Sequence, residues 1–240
     1  MKLTDVSNAI RKVLPLRYCG AVIVAAGNAS RMGGIDKVMA ELMGQPMIVR
    51  TVRTFQESDV IREIVIVTRP DLIDAIGTLC AGFDKVKAVV AGGASRQESV
   101  SLGLEALSGQ VKLVAIQDGA RPLISWQVID RTVRAANTYG AAAPAIPVKD
   151  TIKVVRGGVV VNTPDRSTLQ AVQTPQVFDL DLLKGALKKA QQEGAAVTDD
   201  CSAVELMGMS VKIVEGDERN LKVTTPLDLA VAKLLLEESQ

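Results

Sequence analysis

Short apolar runs rich in β-branched residues return along this chain at near-even spacing, and a stretch with helical periodicity follows most of them. The runs are AVIVAA (21–26), EIVIVT (63–68), KVKAVV (85–90) and KLVAIQ (112–117). Between them, QPMIVRTVRTFQE (45–57) sets Met47, Ile48, Val52 and Phe55 near helical spacing, and DLIDAIGTLC (71–80) and SRQESVSLGLEAL (95–107) also read as helices. ISWQVIDRTVRAANTYG (124–140) adds another, with Ser125 as its candidate N-cap and Gly140 past its end. Strand alternating with helix implies βαβ units and a mostly parallel sheet. Strands that are apolar along their whole length fit a sheet covered on both faces. The expected fold is therefore α/β, an open, doubly wound, mostly parallel sheet. In such sheets ligands sit outside the carboxyl ends of the strands, which directs attention to segments 25–37, 91–99 and 117–122.

The alternation breaks after about residue 144. AIPVKDTIKVV, then RGG, then VVVNTPDRSTLQAVQTPQ reads as a β-hairpin with Gly157-Gly158 at its turn. It is expected to project as an arm over about 147–170. A two-stranded ribbon is marginal alone, and its most economical cover is a second copy of the chain. Helical and strand patterns resume in DLDLLKGALKKAQQEG, DDCSAVELMG and VKIVEG, and TPLDLAVAKLLLEES closes the chain as a helix. With no internal repeat or low-complexity tract, residues 1–240 read as a single domain carrying the arm.

Composition narrows the chemistry. The chain has no histidine, which removes His-based triads, proton shuttles and His metal sites. Lys, Arg, Asp, Glu, Ser, Thr, the backbone and a hard metal ion remain. A net charge of +1 gives no bulk attraction to nucleic acid or an anionic membrane, and 2% aromatic residues are too few for base-stacking platforms. Any anion site must be local. No apolar run approaches the roughly 18 residues of a membrane span, and the opening MKLTDVSNAIRKVLPLRYCG is too polar for a signal peptide. Cys19, Cys80 and Cys201 are isolated and build neither a zinc nor a disulfide pattern. They read as buried, reduced thiols of a cytoplasmic protein.

The three strand-end segments hold the candidate chemistry. AVIVAAGNASRMGGIDKV (21–38) sheds all bulk from Ala25, Ala26 and Gly27 to Ser30, then supplies Arg31 and Lys37. A loop of small residues lets backbone N–H groups approach an anion, and Arg and Lys suit phosphates. Neither the dinucleotide fingerprint nor a Walker A loop occurs here. The residues by themselves leave a tight turn and an anion cradle equally open. In AGGASRQESV, Gly92-Gly93 ends a strand and Ser95 with Glu98 forms a capping box, while Ser99 would reach a base or ribose. In IQDGARP, Asp118 at a strand end suits Mg²⁺ bound to phosphates, with Arg121 three residues on; a type I turn explains the same text. Lys222 is read inside a short apolar strand, before Thr225-Pro226 at a helix start.

Taken together and in order, AAGNASRMG, GGASRQESV, DGARP, VKDTIK, DRSTLQAVQTPQ, TDDCSAVE and NLKVTTPLDL resemble the 2-C-methyl-D-erythritol 4-phosphate cytidylyltransferase family, from residue 20 to about 235. The resemblance implies a Rossmann-like nucleotidyltransferase fold and the transfer of CMP from CTP to 2-C-methyl-D-erythritol 4-phosphate, with Mg²⁺ and release of pyrophosphate. It assigns Arg31 and Lys37 to the CTP phosphates, and Ala25, Ala26, Gly27, Gly93 and Ser99 to cytosine and ribose. Asp118 would serve the metal and the ribose region. Arg166 and Lys222 would position the polyol phosphate, with Arg121, Thr151 and Thr174 lining that pocket. The arm would reach a partner in a homodimer, so Thr151 and Arg166 would act across the interface. Ribitol- or glycerol-phosphate cytidylyltransferases share the fold, the CTP half-site and the arm, and form the alternative within the class. The chain departs from the family pattern at Ala29, at Asp36-Lys37-Val38 and at Ala94; a non-catalytic nucleotide-binding regulator is the reading those changes would favour.

Overall fold

The computed structural model describes residues 15–27 and 37–238. Its centre is a mixed, mostly parallel sheet. Strands β1 (Cys19–Ala25), β4 (Glu63–Thr68), β5 (Val86–Ala91) and β6 (Leu113–Asp118) are mutually parallel in the order β5-β4-β1-β6. The chain thus moves outward from β1 in one direction, then returns to its other side. That reversal opens a crevice at the carboxyl ends of β1 and β6. Beyond β6 lie β11 (Gln176–Asp179) and β7 (Ala141–Pro147), each antiparallel to its neighbour. β12 (Lys212–Glu215) runs parallel to β7, and β10 (Gln170–Val172) antiparallel to it.

Helices cover both faces. α1 (Met47–Glu57), α2 (Ile73–Cys80) and α4 (Trp126–Tyr139) pack Ile48, Val52, Phe55, Ile76, Val128 and Val133 against Ile23, Ile64 and Leu113. On the other face, α3 (Arg96–Glu105), α5 (Leu180–Gln192) and α6 (Asp200–Glu205) pack against Val22, Val65, Val67 and Ile116. The full-length apolar strands follow directly, because alternate residues of one strand enter different cores. α7 (Pro226–Glu237) closes a small third cluster with β2 (Glu41–Leu42); β3 (Gln45–Pro46) pairs with β2. The cysteines are buried and free of disulfides, and burial pushes the Cys19 thiol up to about 12 and that of Cys80 to about 11. Thiols so held are protonated and inert.

Several local expectations hold. Gly140 ends α4 with φ of 85°. Of the Ser95–Glu98 box one half forms: Ser95 accepts from the Glu98 N–H at 3.0 Å, while the Glu98 carboxylate takes the Ala94 N–H instead of that of Ser95. Thr225 caps α7 through a full capping box with Asp228. Ser125 is the N-cap residue of α4, yet its side chain makes no capping bond.

Others need correction. The hairpin is shorter than its text suggested: β8 (Val154–Arg156) and β9 (Val159–Asn162) form a separate ribbon around Gly157 and Gly158, both at positive φ. The outer parts of the hairpin text, 145–147 and 170–172, pair with each other in the main sheet instead, and Gln176 starts another of its strands. β7 hid because AAAPAIP is alanine and proline at all but Ile146, and both are poor strand formers; burial of its alanines carries it. Lys222 does not lie in a strand. It sits in an extended segment whose Val223 N–H donates to the Ala120 carbonyl at 2.9 Å, laying this segment along the end of β6.

Candidate functional site

The strand ends converge on a cavity of about 400 Å³. Packing explains how they meet. A Cβ on Gly92 would stand 2.4 Å from the Ala26 Cβ and 2.9 Å from the Ser99 Oγ. The loss of bulk at Ala25-Ala26-Gly27 and the Gly92-Gly93 pair are therefore two halves of one close approach. The Ser99 hydroxyl is buried, accepting from the Gly93 N–H at 3.1 Å and donating to the Ser95 carbonyl at 2.8 Å. It shapes the loop before any ligand arrives. Glu98 completes the turn from the far side by accepting the Ala94 N–H at 2.7 Å.

Asp118, at the end of β6, is the electrostatic centre. Its N–H donates to the Thr174 hydroxyl at 3.1 Å, and its carbonyl accepts the Arg121 N–H at 3.1 Å, so the expected turn is present as well. Three cations surround the carboxylate: Lys222 Nζ 2.7 Å from Oδ2, Arg121 Nε 3.7 Å from Oδ2, and Arg96 Nε 3.8 Å from Oδ1. Burial pushes the Asp118 pKa up, but Lys222, Arg96 and Arg121 outweigh it and hold the group below the ordinary carboxylate value. Arg121 in turn donates to the Asn220 carbonyl at 2.5 Å, while the Asn220 amide donates to the Thr174 carbonyl at 2.9 Å. This ring of bonds ties Lys222's segment to β6.

Of the residues singled out from sequence, Ala25, Ala26, Gly27, Lys37, Gly93, Ser99, Asp118 and Lys222 all line the cavity. Arg121 and Thr174 stand behind Asp118 rather than on the wall. Thr151 and Arg166 are exposed at the base of the arm, away from the cavity wall. Arg166 donates to the Lys149 carbonyl at 2.7 Å, and Lys149 pairs with Glu218 at 2.6 Å. Arg31, Ala29 and Asp36 lie outside the described residues.

Sequence reading missed two participants. Arg96, at the start of α3, bridges Asp118 to Asp200, contacting Asp200 Oδ2 at 2.7 Å. Asp200 is 1% exposed. Burial raises its pKa, Arg96 opposes, and Asp118 and Asp199 add repulsion. Gln176 on β11 anchors this helix start by accepting the Asp200 and Cys201 N–H groups, both at 3.1 Å. The signal was the doubled aspartate of TDDCSAVE: one carboxylate caps the helix, so the second is available for another task. Among the described residues, no group of three or more His, Cys, Asp or Glu could hold a metal ion. The donor set offers one hard oxygen, from Asp118, which fits Mg²⁺ completing its shell with phosphate oxygens and water.

A family model described as IspD, 2-C-methyl-D-erythritol 4-phosphate cytidylyltransferase, matches residues 19–238. Among curated proteins, the 2-C-methyl-D-erythritol 4-phosphate cytidylyltransferase of Geobacillus kaustophilus is 47% identical over 219 residues, covering 90% of this chain and 96% of the relative. The protein of the same name from Caldanaerobacter subterraneus subsp. tengcongensis is 43% identical over 223 residues, covering 91% and 98%. The crystal structure of 4-diphosphocytidyl-2C-methyl-D-erythritol synthase from Anaerococcus prevotii superposes with a TM-score of 0.84 at 32% identity, covering 92% of this chain and 96% of its own.

Proposed function

The chain belongs to the 2-C-methyl-D-erythritol 4-phosphate cytidylyltransferase family, and we propose that the cavity at the β6 end is where it transfers CMP from CTP to 2-C-methyl-D-erythritol 4-phosphate. The observation that carries this placement is the convergence of Lys222, Arg96 and Arg121 on Asp118, beside a wall of backbone and small residues. An ionised oxygen of the polyol phosphate attacks the α-phosphorus of CTP. The new P–O bond forms, the bond to the β-phosphate oxygen breaks, and pyrophosphate leaves with that electron pair. The attacking phosphate needs no general base at neutral pH, consistent with a chain that has no histidine. Catalysis then rests on positioning and charge neutralisation.

In this reading Ala25, Ala26, Gly27, Gly93 and the Ser99-shaped loop hold cytosine and ribose, and Arg31 and Lys37 meet the triphosphate. Mg²⁺, with Asp118 as its protein ligand, would neutralise phosphate charge there. Lys222 and, behind it, Arg121 and Thr174 fix the polyol-phosphate side. Thr151 and Arg166 complete the site from the arm of a second protomer in a homodimer. The enzyme works in the cytoplasm; among the described residues no helix is long and apolar enough to cross a membrane. The ribitol- or glycerol-phosphate alternative is not favoured, since the family model and the curated relatives carry the methylerythritol name. The test is pyrophosphate release with CTP fixed and a panel of methylerythritol 4-phosphate, ribitol 5-phosphate and glycerol 3-phosphate. Turnover is expected with the first; turnover with ribitol 5-phosphate alone would reverse the choice.

A further inference from the structure

A second cavity, of about 640 Å³, opens between α1, the start of α4 and the loop after β12. Its wall carries four guanidiniums, Arg50, Arg53, Arg131 and Arg219, against one carboxylate, Asp217. None of its lining residues is aromatic, and none is shared with the Asp118 cavity. Two of the arginines are held on backbone carbonyls. Arg50 donates to the carbonyls of Leu42 and Met43 at 2.6 and 3.2 Å, and Arg219 donates to the Leu235 carbonyl. Arg131 pairs at 3.3 Å with Glu215, whose side chain is 87% exposed, so solvent screens that pair. Arg53 makes no hydrogen bond or ion pair with any described residue. Burial and then repulsion from Arg53 lower the pKa of Arg50, as expected of crowded positive charge.

The start of α4 adds to this. Ser125 and Gln127 are part of the wall. The Ser125 side chain does not cap the helix, and its first turn holds no acidic residue. A 14-residue helix therefore presents uncapped N–H groups and its positive dipole end beside the arginines.

We propose that this basic cavity is a second anion site, one that takes a compact polyanion with two adjacent phosphate groups. Four guanidiniums less Asp217 leave a charge of +3 on the wall, and two phosphate groups bearing roughly −1.5 each at neutral pH match it. The missing aromatic platform sets the site apart from one for a nucleobase. Two loops join the cavities: Asp118–Ser125 and Asp217–Lys222 each begin in one and end in the other. The active-site and basic-cavity contributions must therefore be separated by variants.

Calorimetric titration of the full chain with inorganic pyrophosphate, without divalent cation, tests this on three proteins: wild type, the double variant Arg53→Glu/Arg131→Glu, and Lys222→Ala. The double variant is expected to lose a binding event seen in the wild type, its affinity falling at least about tenfold. Lys222→Ala is expected to keep that event. If the double variant does not fold, Arg53→Gln carries the test, because Arg53 is exposed and unbonded. Binding in the charge variants equal to wild type, or loss of all binding in Lys222→Ala, would overturn the proposal.

Discussion

The Asp118 cluster and the β8–β9 arm both carry residues assigned to the site, and they are built in opposite ways. Asp118 is 12% exposed on its side chain, with three cations within 4 Å, and it ends a central strand. The arm has strands of three and four residues, every one exposed, with Val159 at 67% and Val160 and Val161 at 53%. The cluster is preorganised by its own chain. The arm exposes apolar surface that a monomer does not cover, and a ribbon of this length is not stable without cover. The cluster is held by bonds within one protomer, whereas the arm has apolar surface that a second copy would cover.

The largest effect should come from removing Lys222, the cation nearest the Asp118 carboxylate. Lys222→Ala is expected to lower kcat/KM by roughly 10²–10³, by analogy with a lost oxyanion donor, with little change in melting temperature, because Arg96 and Arg121 still face Asp118. Arg96→Ala should do the reverse in proportion. It strands the buried Asp200 carboxylate and costs about 3 kcal/mol of stability, read by denaturant unfolding. If Lys222→Ala retained a third of its activity, the cluster would not be the reacting end of the cavity.

Deleting residues 153–163 is the complementary break. The variant should run as a monomer by light scattering and lose activity, while the sheet melts as before. Arg166→Ala, which leaves the ribbon in place, should act on the polyol phosphate, raising its KM by roughly 10–100-fold, the worth of one charge-assisted bond. A dimer surviving the deletion would remove the arm from the interface and Arg166 from the site together.

These contrasts also separate what could be read in the sequence from what could not. β1, β4 and β6 were legible because apolar, β-branched text has few other uses. The Asp118, Gly93 and Lys37 segments were legible because a doubly wound sheet gathers its strand ends. β7 was not, because alanine and proline give no strand signal and only burial by its neighbours selects the conformation. Lys222 was placed in a strand because LKV reads as one, whereas its segment is held by the Val223 N–H bond to the Ala120 carbonyl and by the Arg121–Asn220–Thr174 bonds, contacts made only after folding. The Arg96–Asp200 bridge spans 104 residues of sequence; such a contact exists only after folding.

A smaller effect follows from the charge of the cluster. The Asp118 pKa is held low in the folded state by Lys222, Arg96 and Arg121 against the push of burial. Its contribution to stability is therefore fully present above the ordinary carboxylate pKa, near 3.9. It is lost as pH falls through the lowered folded value. Melting temperatures of wild type and Asp118→Asn should differ at pH 6 and converge as the pH falls below about 4. Parallel curves over that range would mean that the three cations do not stabilise the charged carboxylate.

The smallest effect sharpens the comparison most. Gly157 and Gly158 sit at φ of 56° and 79° in the arm's turn, where a side chain costs about 1–2 kcal/mol. The strain falls on a ribbon that shares no strand pairing with the main sheet. Gly158→Ala should therefore leave the melting temperature of a dilute, monomeric sample unchanged. If a second copy covers the arm, the arm must be formed to dock, and the same strain should weaken self-association by roughly 5–30-fold, measured by sedimentation across a dilution series. A lowered melting temperature with unchanged dimerisation would show instead that the arm is part of its own protomer's cooperative fold.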